Sequence, residues 1–390
     1  MAGYLGRAQV PPDTAREVVN KTEIELVYNH YIQNGNKSAV TGGIGTEKLT
    51  VYAPGFSVRK TAGPNSLAFN AGTDIITSAS TDNIDYVMSS ASRTDERIYA
   101  NATYGRTFNK HNLVVSGGIG FSIESDYFSV GSNAGLTKKD KDNLRQYSVQ
   151  IQVFNDDLRW GRLNPDYFRP VKLIYPSELR YREWYDVHRR NSVNLKLGFT
   201  QVLDKRNVIG FFPELTWQNG LLATPFHRIY FSDGTEAVEQ LPENRVKTAL
   251  AVRLNSFAGG RFILKSILNG YCDNFGIKAF SLENETAIKL RYDLILLPNA
   301  RFYSQSASSY FASYGMHQPG EEYYTSDYDL SGMHTFSSGI GLKFYPYKYL
   351  KKRMIFNGFI FRYNFMSSSY GLSSHIFSIS LQSEFHRKHH

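Results

Sequence analysis

Cysteine is almost absent from the chain, with Cys272 the single one among 390 residues. One cysteine cannot form a disulfide framework or a thiolate metal cluster. Long apolar runs are missing as well. The densest, Leu294–Leu297, stops at Pro298, far short of the roughly 18 residues that a membrane helix needs. These absences exclude a disulfide-rich domain and a helical membrane protein.

Sequence signatures of enzymes are also lacking. No GxSxG, CxxC, HExxH or P-loop pattern occurs. His227 lies near Asp233 and Glu236 in the sequence, but the three lack metal-ligand spacing and fit a solvated loop better. The adjacent Glu321 and Glu322 likewise fit a solvated loop better than a catalytic pair. We therefore predict no catalytic residue, no metal site and no cofactor.

The chain carries a net charge of +9 but has no tract of lysine and arginine. Such a charge is compatible with nucleic acid, with anionic lipid headgroups or with a basic lumen. Because the basic residues are dispersed, we do not expect nucleic acid as a partner.

Aromatic residues are abundant, with 27 Tyr and 26 Phe. Aromatic residues favour β-strands, and membrane barrels concentrate them in girdles at both lipid interfaces. A soluble β-sandwich is the alternative. It also shows alternating polarity, but one sandwich seldom uses so many strands of about ten residues or more.

The last strand, Ser374–Phe385, shows the pattern most clearly. One face is apolar and the other mostly polar; the apolar face holds Phe377, Ile379, Leu381 and Phe385. Segments of this kind recur along the whole chain. They predict an all-β fold, a single-chain transmembrane antiparallel β-barrel of about 16 strands, within a range of roughly 14 to 18. Pro54-Gly55 predicts a bulge or break in the second strand.

The connections between predicted strands alternate in length. Every second one is tight, and these read TAGPNS, NKHN, DKDN, DKRN, AGG, RYD and YPYKYLKKR. The intervening connections include every long loop. Short periplasmic turns and long extracellular loops are typical of outer-membrane barrels. We therefore predict a bacterial outer-membrane location with both termini in the periplasm.

The predicted barrel covers residues 21–385. Residues 1–20 are interpreted as a signal-peptide remnant and periplasmic lead-in, and residues 386–390 as a terminal tail. Gly6-Arg7-Ala8 followed by Gln9 is similar to the end of a signal-peptide cleavage site. An ordinary flexible N-terminus is the alternative.

Four segments between about Pro225 and Phe311 resemble a known family: FHRIYFSDG, LPENRVKTALAVRLNSF, GYCDNFGIKAFSLE and NARFYSQSASSYF. The family is the domain of unknown function 3570 family, an uncharacterised outer-membrane β-barrel family common in Bacteroidota. GLTKKDKDN and LGFTQVLDKRN fit it more loosely. The chain departs where members usually show DDWGI and it has DNFGI from Asp273. The resemblance implies an outer-membrane barrel without an established activity.

Several charged and polar residues lie on the strand face opposite the apolar one. Because a charge facing lipid near the membrane midplane costs a few kcal/mol, we place them inside the barrel. They can form a wall that tunes selectivity or contacts substrate, or an internal ion-pair network that braces the barrel. The predicted lumen cluster consists of Arg245, Lys247, Arg253, Lys265, Asp273, Glu283, Glu285, Arg301, Gln305 and Arg362.

The longest loop combines aromatic residues with arginine, which dominate protein-binding hot spots. We interpret it as a candidate partner-binding loop or a lumen constriction; a self-packed extracellular loop is the alternative. The candidate binding residues are Trp160, Tyr167, Phe168, Arg169, Tyr181, Arg182, Trp184 and Tyr185.

The sequence therefore favours an outer-membrane barrel that acts as a channel or as the membrane-embedded anchor of a protein complex. A rim-active outer-membrane enzyme is the alternative. Expected partners are outer-membrane lipid and lipopolysaccharide, with other outer-membrane or periplasmic proteins, including lipoproteins, as further candidates.

Overall fold

The computed structural model describes residues 20–78, 94–124, 127–158, 189–224, 227–346, 348–351 and 354–386. Sixteen long strands account for most of this part of the chain. They are β1 Asn20–Asn34, β2 Leu49–Ala62, β3 Asn65–Ser78, β4 Thr94–Phe108, β5 Leu113–Ile123, β6 Phe128–Lys139, β7 Arg145–Asp157, β8 Arg189–Val202, β9 Asn207–Gly220, β10 Asn244–Ala258, β11 Phe262–Asp273, β12 Lys278–Arg291, β13 Leu294–Gln305, β14 Met333–Phe344, β15 Met354–Ser368 and β16 Ser373–His386.

Each of these strands pairs antiparallel with the next strand in the chain, and β1 pairs with β16. The β1–β16 register runs from Lys21 opposite His386 to Asn34 opposite Ser373. The sheet therefore closes on itself and forms a barrel without an unpaired edge. The predicted barrel of about sixteen strands is confirmed. Closure satisfies the backbone hydrogen bonds that a lipid environment cannot supply.

Side chains alternate between the two faces of every barrel strand. Large apolar side chains stay exposed on one face: Leu67 is 52% exposed, Ile119 is 68% exposed and Leu282 is 54% exposed. The opposite face carries small and polar residues. An exposed apolar exterior is the arrangement expected of a barrel whose outer surface faces hydrocarbon. None of the helices in the described part of the chain is long or apolar enough to cross a membrane.

The connections predicted to be tight all lie at one end of the barrel, whereas the short connections 274–277 and 369–372 lie at the other. Asn112 follows NKH with φ 48°, and Asn143 lies in DKDN with φ 55°. Asparagine tolerates this left-handed conformation better than most residues, because its short polar side chain can form hydrogen bonds with nearby groups. The other end carries the connections 35–48, 221–243 and 306–332, and we call it the long-loop end.

β2 has no bulge at Pro54-Gly55, but its ladder to β3 is broken there, because Ala53 and Pro54 have no paired residue on β3. The β1–β2 register continues through this point, with Tyr28 opposite Pro54 and Val27 opposite Gly55. Pro54 falls on the outward apolar face, in line with Tyr52 and Phe56, so its ring adds to the exterior surface. Register shifts occur elsewhere, at Lys289/Arg291 in β12 and at Phe356/Gly358 in β15.

Two short elements lie outside the sixteen-stranded register. Arg228–Tyr230 and Glu236–Val238 form a small hairpin within the 221–243 connection. Lys348–Lys351, in the segment predicted as a basic turn, pairs with the start of β15.

Candidate functional site

The wall of the barrel interior contains a three-residue ion-pair network. The Lys265 Nζ atom lies 2.9 Å from Glu285 Oε1, and Arg362 Nη1 donates to Glu285 Oε2. Glu285 is on β12 and Arg362 is on β15, with β13 and β14 between them. Side chains three strands apart in a closed sheet can meet only on its concave inner side. This contact identifies the polar face as the inner one.

A second ion pair lies at the long-loop end. Arg245 Nε donates to Asp273 Oδ2 at 2.9 Å, and the Tyr271 hydroxyl donates to the same oxygen at 2.7 Å. Asp273 Oδ1 accepts the backbone N–H groups of Phe275 and Ile277, both at 3.0 Å. The Asp273 side chain is fully buried. This carboxylate therefore fixes the connection between β11 and β12 to the barrel wall.

Three cationic side chains of the predicted lumen cluster have no carboxylate partner among the described residues. They are Lys247, Arg253 and Arg301. Arg253 lies over the Phe212 ring at 5.1 Å, and Arg301 lies over the Tyr303 ring at 5.5 Å.

The last two members of the predicted lumen cluster lie on β12 and β13. Glu283 is opposite Arg301 in the β12–β13 register, and Gln305 Nε2 donates to the carbonyl oxygens of Asp329 and Ser331. The cluster thus contains both bracing ion pairs and unpaired positive charges.

The loops of the long-loop end fold into one layer, which we call the cap: residues 35–48, 221–224, 227–243, 274–277 and 306–332. Its centre is an apolar cluster of Leu221, Ala223, Leu241 and Phe275, with Leu330 packed against it. The side chains of Ile229, Phe275 and His317 are 0–1% exposed and are among the most buried in the described residues. The principal buried core of the described chain is thus in the cap rather than in the barrel.

The first loop of the cap, residues 35–48, packs onto the loops 221–243 and 306–332. Gly43 has φ 85°, and a Cβ atom there would lie 2.7 Å from the Ser326 carbonyl oxygen. Only glycine fits this close approach without strain. A Cβ atom on Gly42 would meet the Tyr230 ring at 2.6 Å.

The 3₁₀ turn Tyr328–Leu330 lies at the mouth of the barrel. Gln305 on β13 holds its backbone, and the Tyr370 hydroxyl, from the β15–β16 connection, donates to Asp329 at 3.3 Å. Lys37 lies 4.9 Å over the Tyr328 ring. Because the turn contacts the barrel wall and two other connections, the cap narrows this mouth.

The cap carries a cluster of acidic side chains around one histidine. Burial of the His227 imidazole lowers its pKa, but the charge and hydrogen bond of Glu239, followed by Asp327, raise that pKa to about 9. Burial, with Asp329 and Glu239 nearby, raises the pKa of Asp327 to about 6 against the opposing effect of His227. These three side chains are therefore strongly coupled electrostatically.

Glu47 extends this cluster from the first loop. Burial, together with the carboxylates of Asp329 and Asp327, raises its pKa to about 7. Gln33 Nε2 donates to the Glu47 carboxylate at 3.1 Å.

Asp233 and Glu236 lie near His227 in the sequence, but they do not contact it in the structure. Asp233 accepts the N–H and hydroxyl of Thr235 at 2.9 and 2.6 Å in the hairpin turn, and Glu236 pairs with Arg228. His227 instead meets Glu239 and Asp327. Asp327 lies in a different loop, so no sequence spacing indicated this contact.

Of the adjacent Glu321 and Glu322 in the 306–332 loop, Glu321 contacts a buried histidine. Glu321 Oε2 is 2.6 Å from His317 Nδ1, while the other His317 nitrogen lies 3.1 Å from the Thr325 carbonyl oxygen. His317 and Glu321, with Ser309 and Glu322, line an open pocket of about 330 Å³. Both imidazole nitrogens face oxygen acceptors, so neither is free to take a proton from a nucleophile.

The candidate partner-binding loop lies outside the described residues. This applies to Trp160, Tyr167, Phe168, Arg169, Tyr181, Arg182, Trp184 and Tyr185, and that hypothesis stays a prediction.

A closed antiparallel barrel, apolar outside and polar inside, defines an outer-membrane β-barrel protein. The chain belongs to the family described as "Protein of unknown function (DUF3570)", whose family model matches residues 6–354. The predicted family membership is confirmed. No curated protein matches the chain.

Distant similarity to solved outer-membrane structures extends over nearly the whole chain. A bacterial polysaccharide outer membrane secretin is 8% identical with a TM-score of 0.46, covering 95% of this chain and 100% of that one. The outer membrane protein OpdK from Pseudomonas aeruginosa is 9% identical with a TM-score of 0.42, covering 93% and 99%. A BenF-like porin from Pseudomonas fluorescens Pf-5 is 9% identical with a TM-score of 0.42, covering 93% and 98%.

Proposed function

We propose that the protein is an outer-membrane channel for small hydrophilic solutes, narrowed at one mouth by its cap. The observation that carries this proposal is the polar inner wall of a sixteen-stranded barrel. Barrels of 16 to 18 strands are wide enough to leave an aqueous channel, whereas those of about 8 strands are filled by side chains. Lys247, Arg253 and Arg301 add unpaired positive charge to the wall, which favours passage of anions.

The barrel is oriented with the cap outside the cell and both termini in the periplasm. The support for this orientation is the asymmetry of the connections, since long loops of such barrels face the exterior. The exposed apolar belt contacts outer-membrane lipid and lipopolysaccharide. Biotinylation of a cysteine introduced at Ser232 in intact cells tests the orientation; labelling only after cell lysis would contradict it.

Conductance in planar bilayers tests the channel. We expect small, stable conductance steps for the wild-type protein, with anions preferred over cations. Replacing residues 308–330 by a short Gly/Ser linker removes the narrowing segment and should raise conductance several-fold. Arg253→Gln should reduce the preference for anions while leaving the number of strands, and hence the barrel width, unchanged.

The membrane anchor of a protein complex is the second candidate, favoured by the buried packing of the cap. A barrel that does not conduct with or without residues 308–330 would refute the channel. Defined proteins recovered with it from native membranes would then support the anchor. A rim-active enzyme would need a general base other than His317, whose two imidazole nitrogens both face oxygen acceptors.

A further inference from the structure

His227, Glu239 and Asp327 form a set of potential metal ligands inside the cap. One ligand atom from each residue lies within 4.8 Å of the other two. His227 Nδ1 is 3.5 Å from Glu239 Oε1 and 3.9 Å from Asp327 Oδ2. The side chains are 17%, 2% and 26% exposed, respectively, so water reaches the set only partially.

Both carboxylates are already oriented towards a common point. Glu239 Oε2 accepts the Thr224 N–H at 2.6 Å, and Glu239 Oε1, which accepts the Thr325 hydroxyl, lies 3.5 Å from the His227 Nδ1 atom. Asp327 Oδ1 accepts the Asp329 N–H at 2.9 Å, which leaves Oδ2 towards the imidazole. Hydrogen bonds of this kind, from groups behind the ligands, fix the orientation of metal-binding carboxylates.

Apart from the His227 imidazole, the cluster lacks positive charge. Asp329 adjoins the set, because its N–H group donates to Asp327 Oδ1, and Glu47 lies close enough for the carboxylates of Asp327 and Asp329 to act on it. Among the described residues, no lysine or arginine forms an ion pair with Glu47, Glu239, Asp327 or Asp329. A single imidazole therefore faces several carboxylates in a partly desolvated place, where unbalanced charge is costly. A divalent cation supplies the missing charge.

We propose that His227, Glu239 and Asp327 bind a divalent transition-metal ion, which holds the cap loops 221–243 and 306–332 together. One imidazole nitrogen with two carboxylate oxygens suits Zn²⁺ or Mn²⁺ better than Mg²⁺, which prefers oxygen ligands and retains its water. Around a tetrahedral Zn²⁺ at 2.0–2.2 Å, ligand atoms lie about 3.4 Å apart. The observed separations reach this value with side-chain shifts on the order of 1 Å. The fourth position remains for water or for Glu47.

The site links residues 221–243 with residues 306–332, so metal binding opposes separation of the two loops. This inference concerns the cap and does not require that the barrel conduct. Its failure would leave the channel proposal untouched, and a barrel without conductance would leave the metal site testable.

Calorimetric titration of the detergent-solubilised full-length protein with Zn²⁺, after EDTA treatment and dialysis, tests the site. We expect one site that Mg²⁺ does not fill. Asp327→Asn keeps the shape of the side chain but removes one ligand charge, and it should weaken this site at least tenfold. Histidines near the chain terminus also bind Zn²⁺, so H389Q/H390Q serves as the matched control and should retain the site.

Proteolysis supplies a second measurement that distinguishes a clamp from adventitious binding. Zn²⁺ should slow cleavage within residues 306–332 several-fold in the wild type and in H389Q/H390Q, but not in Asp327→Asn. Without metal, similar cleavage patterns for all three proteins would establish that the cap is folded in each. Zn²⁺ binding that is lost in H389Q/H390Q, or unchanged in Asp327→Asn, would overturn the proposal.

Discussion

Glu285→Gln should reveal whether ion pairs on the inner wall brace the barrel. The Glu285 side chain is 10% exposed and is the only carboxylate that contacts Lys265 and Arg362 among the described residues. Replacing it with glutamine leaves two neighbouring cations on the inner wall without a carboxylate between them. Removing one partner of a buried pair costs roughly 3–5 kcal/mol. Lumen water reaches Lys265, which is 36% exposed, so we expect a smaller loss of about 2–3 kcal/mol.

Denaturant unfolding of the barrel in detergent micelles measures this loss as a shift in the midpoint at constant slope. Glu214→Gln is the matched control. Glu214 is also on the inner face, but its pair with Lys196 spans 3.7 Å and both side chains are about two-fifths exposed. Such a pair contributes about 0–1 kcal/mol. Equal losses for the two variants would refute the bracing role and leave ion selectivity as the remaining role of the cluster.

The other predictions concern the exterior, the cap and pH. Ile151→Lys, on the outward face at mid-strand, should lower the free energy of unfolding in lipid vesicles by about 2–4 kcal/mol. Gln150→Lys, on the inward face of the same strand, should lower it by less than about 1 kcal/mol, and equal losses would contradict the assignment of faces. Phe275→Ala should destabilise the cap by about 3–5 kcal/mol, measured as faster proteolysis of residues 306–332 without unfolding of the barrel. The pKa of Glu47 rises from 4.5 to about 7 in the cap, so its stabilising contribution is complete below pH 4.5 and is lost as pH rises through 7. Cap stability should therefore fall by at most about 3 kcal/mol between pH 5 and 8. Glu47→Gln should remove most of that dependence in hydrogen exchange corrected for intrinsic rates, leaving the smaller part due to Asp327, whose pKa is raised to about 6. An unchanged pH dependence would contradict the assignment to Glu47.

The barrel was predictable because its determinants are local. Each outward face shows in the sequence as a period of two, as in Leu250, Val252 and Leu254 of β10. Each tight turn shows as a cluster such as DKDN. The strand ends were less predictable: β1 continues to Asn34, beyond the last clear alternation at Tyr31, because β16 offers partners up to Ser373.

The cap was not predictable because its contacts join distant segments without a repeating pattern. His227 and Asp327 meet only after two long loops have folded against each other. Phe275 is buried under the Arg245 guanidinium, 4.5 Å from its ring. Nothing in the neighbouring sequence distinguishes such a residue from an ordinary loop aromatic.

The pairing of β1 with β16 constrains how the molecule assembles. These strands are hydrogen-bonded along fourteen residue pairs, yet they are the two barrel strands furthest apart in the chain. Closing them late is entropically expensive, and both edges stay available to foreign strands until they meet. The cylinder therefore forms only when the last strand has arrived. A nascent chain stalled before Ser373 would be an open sheet, a target for degradation rather than a smaller pore.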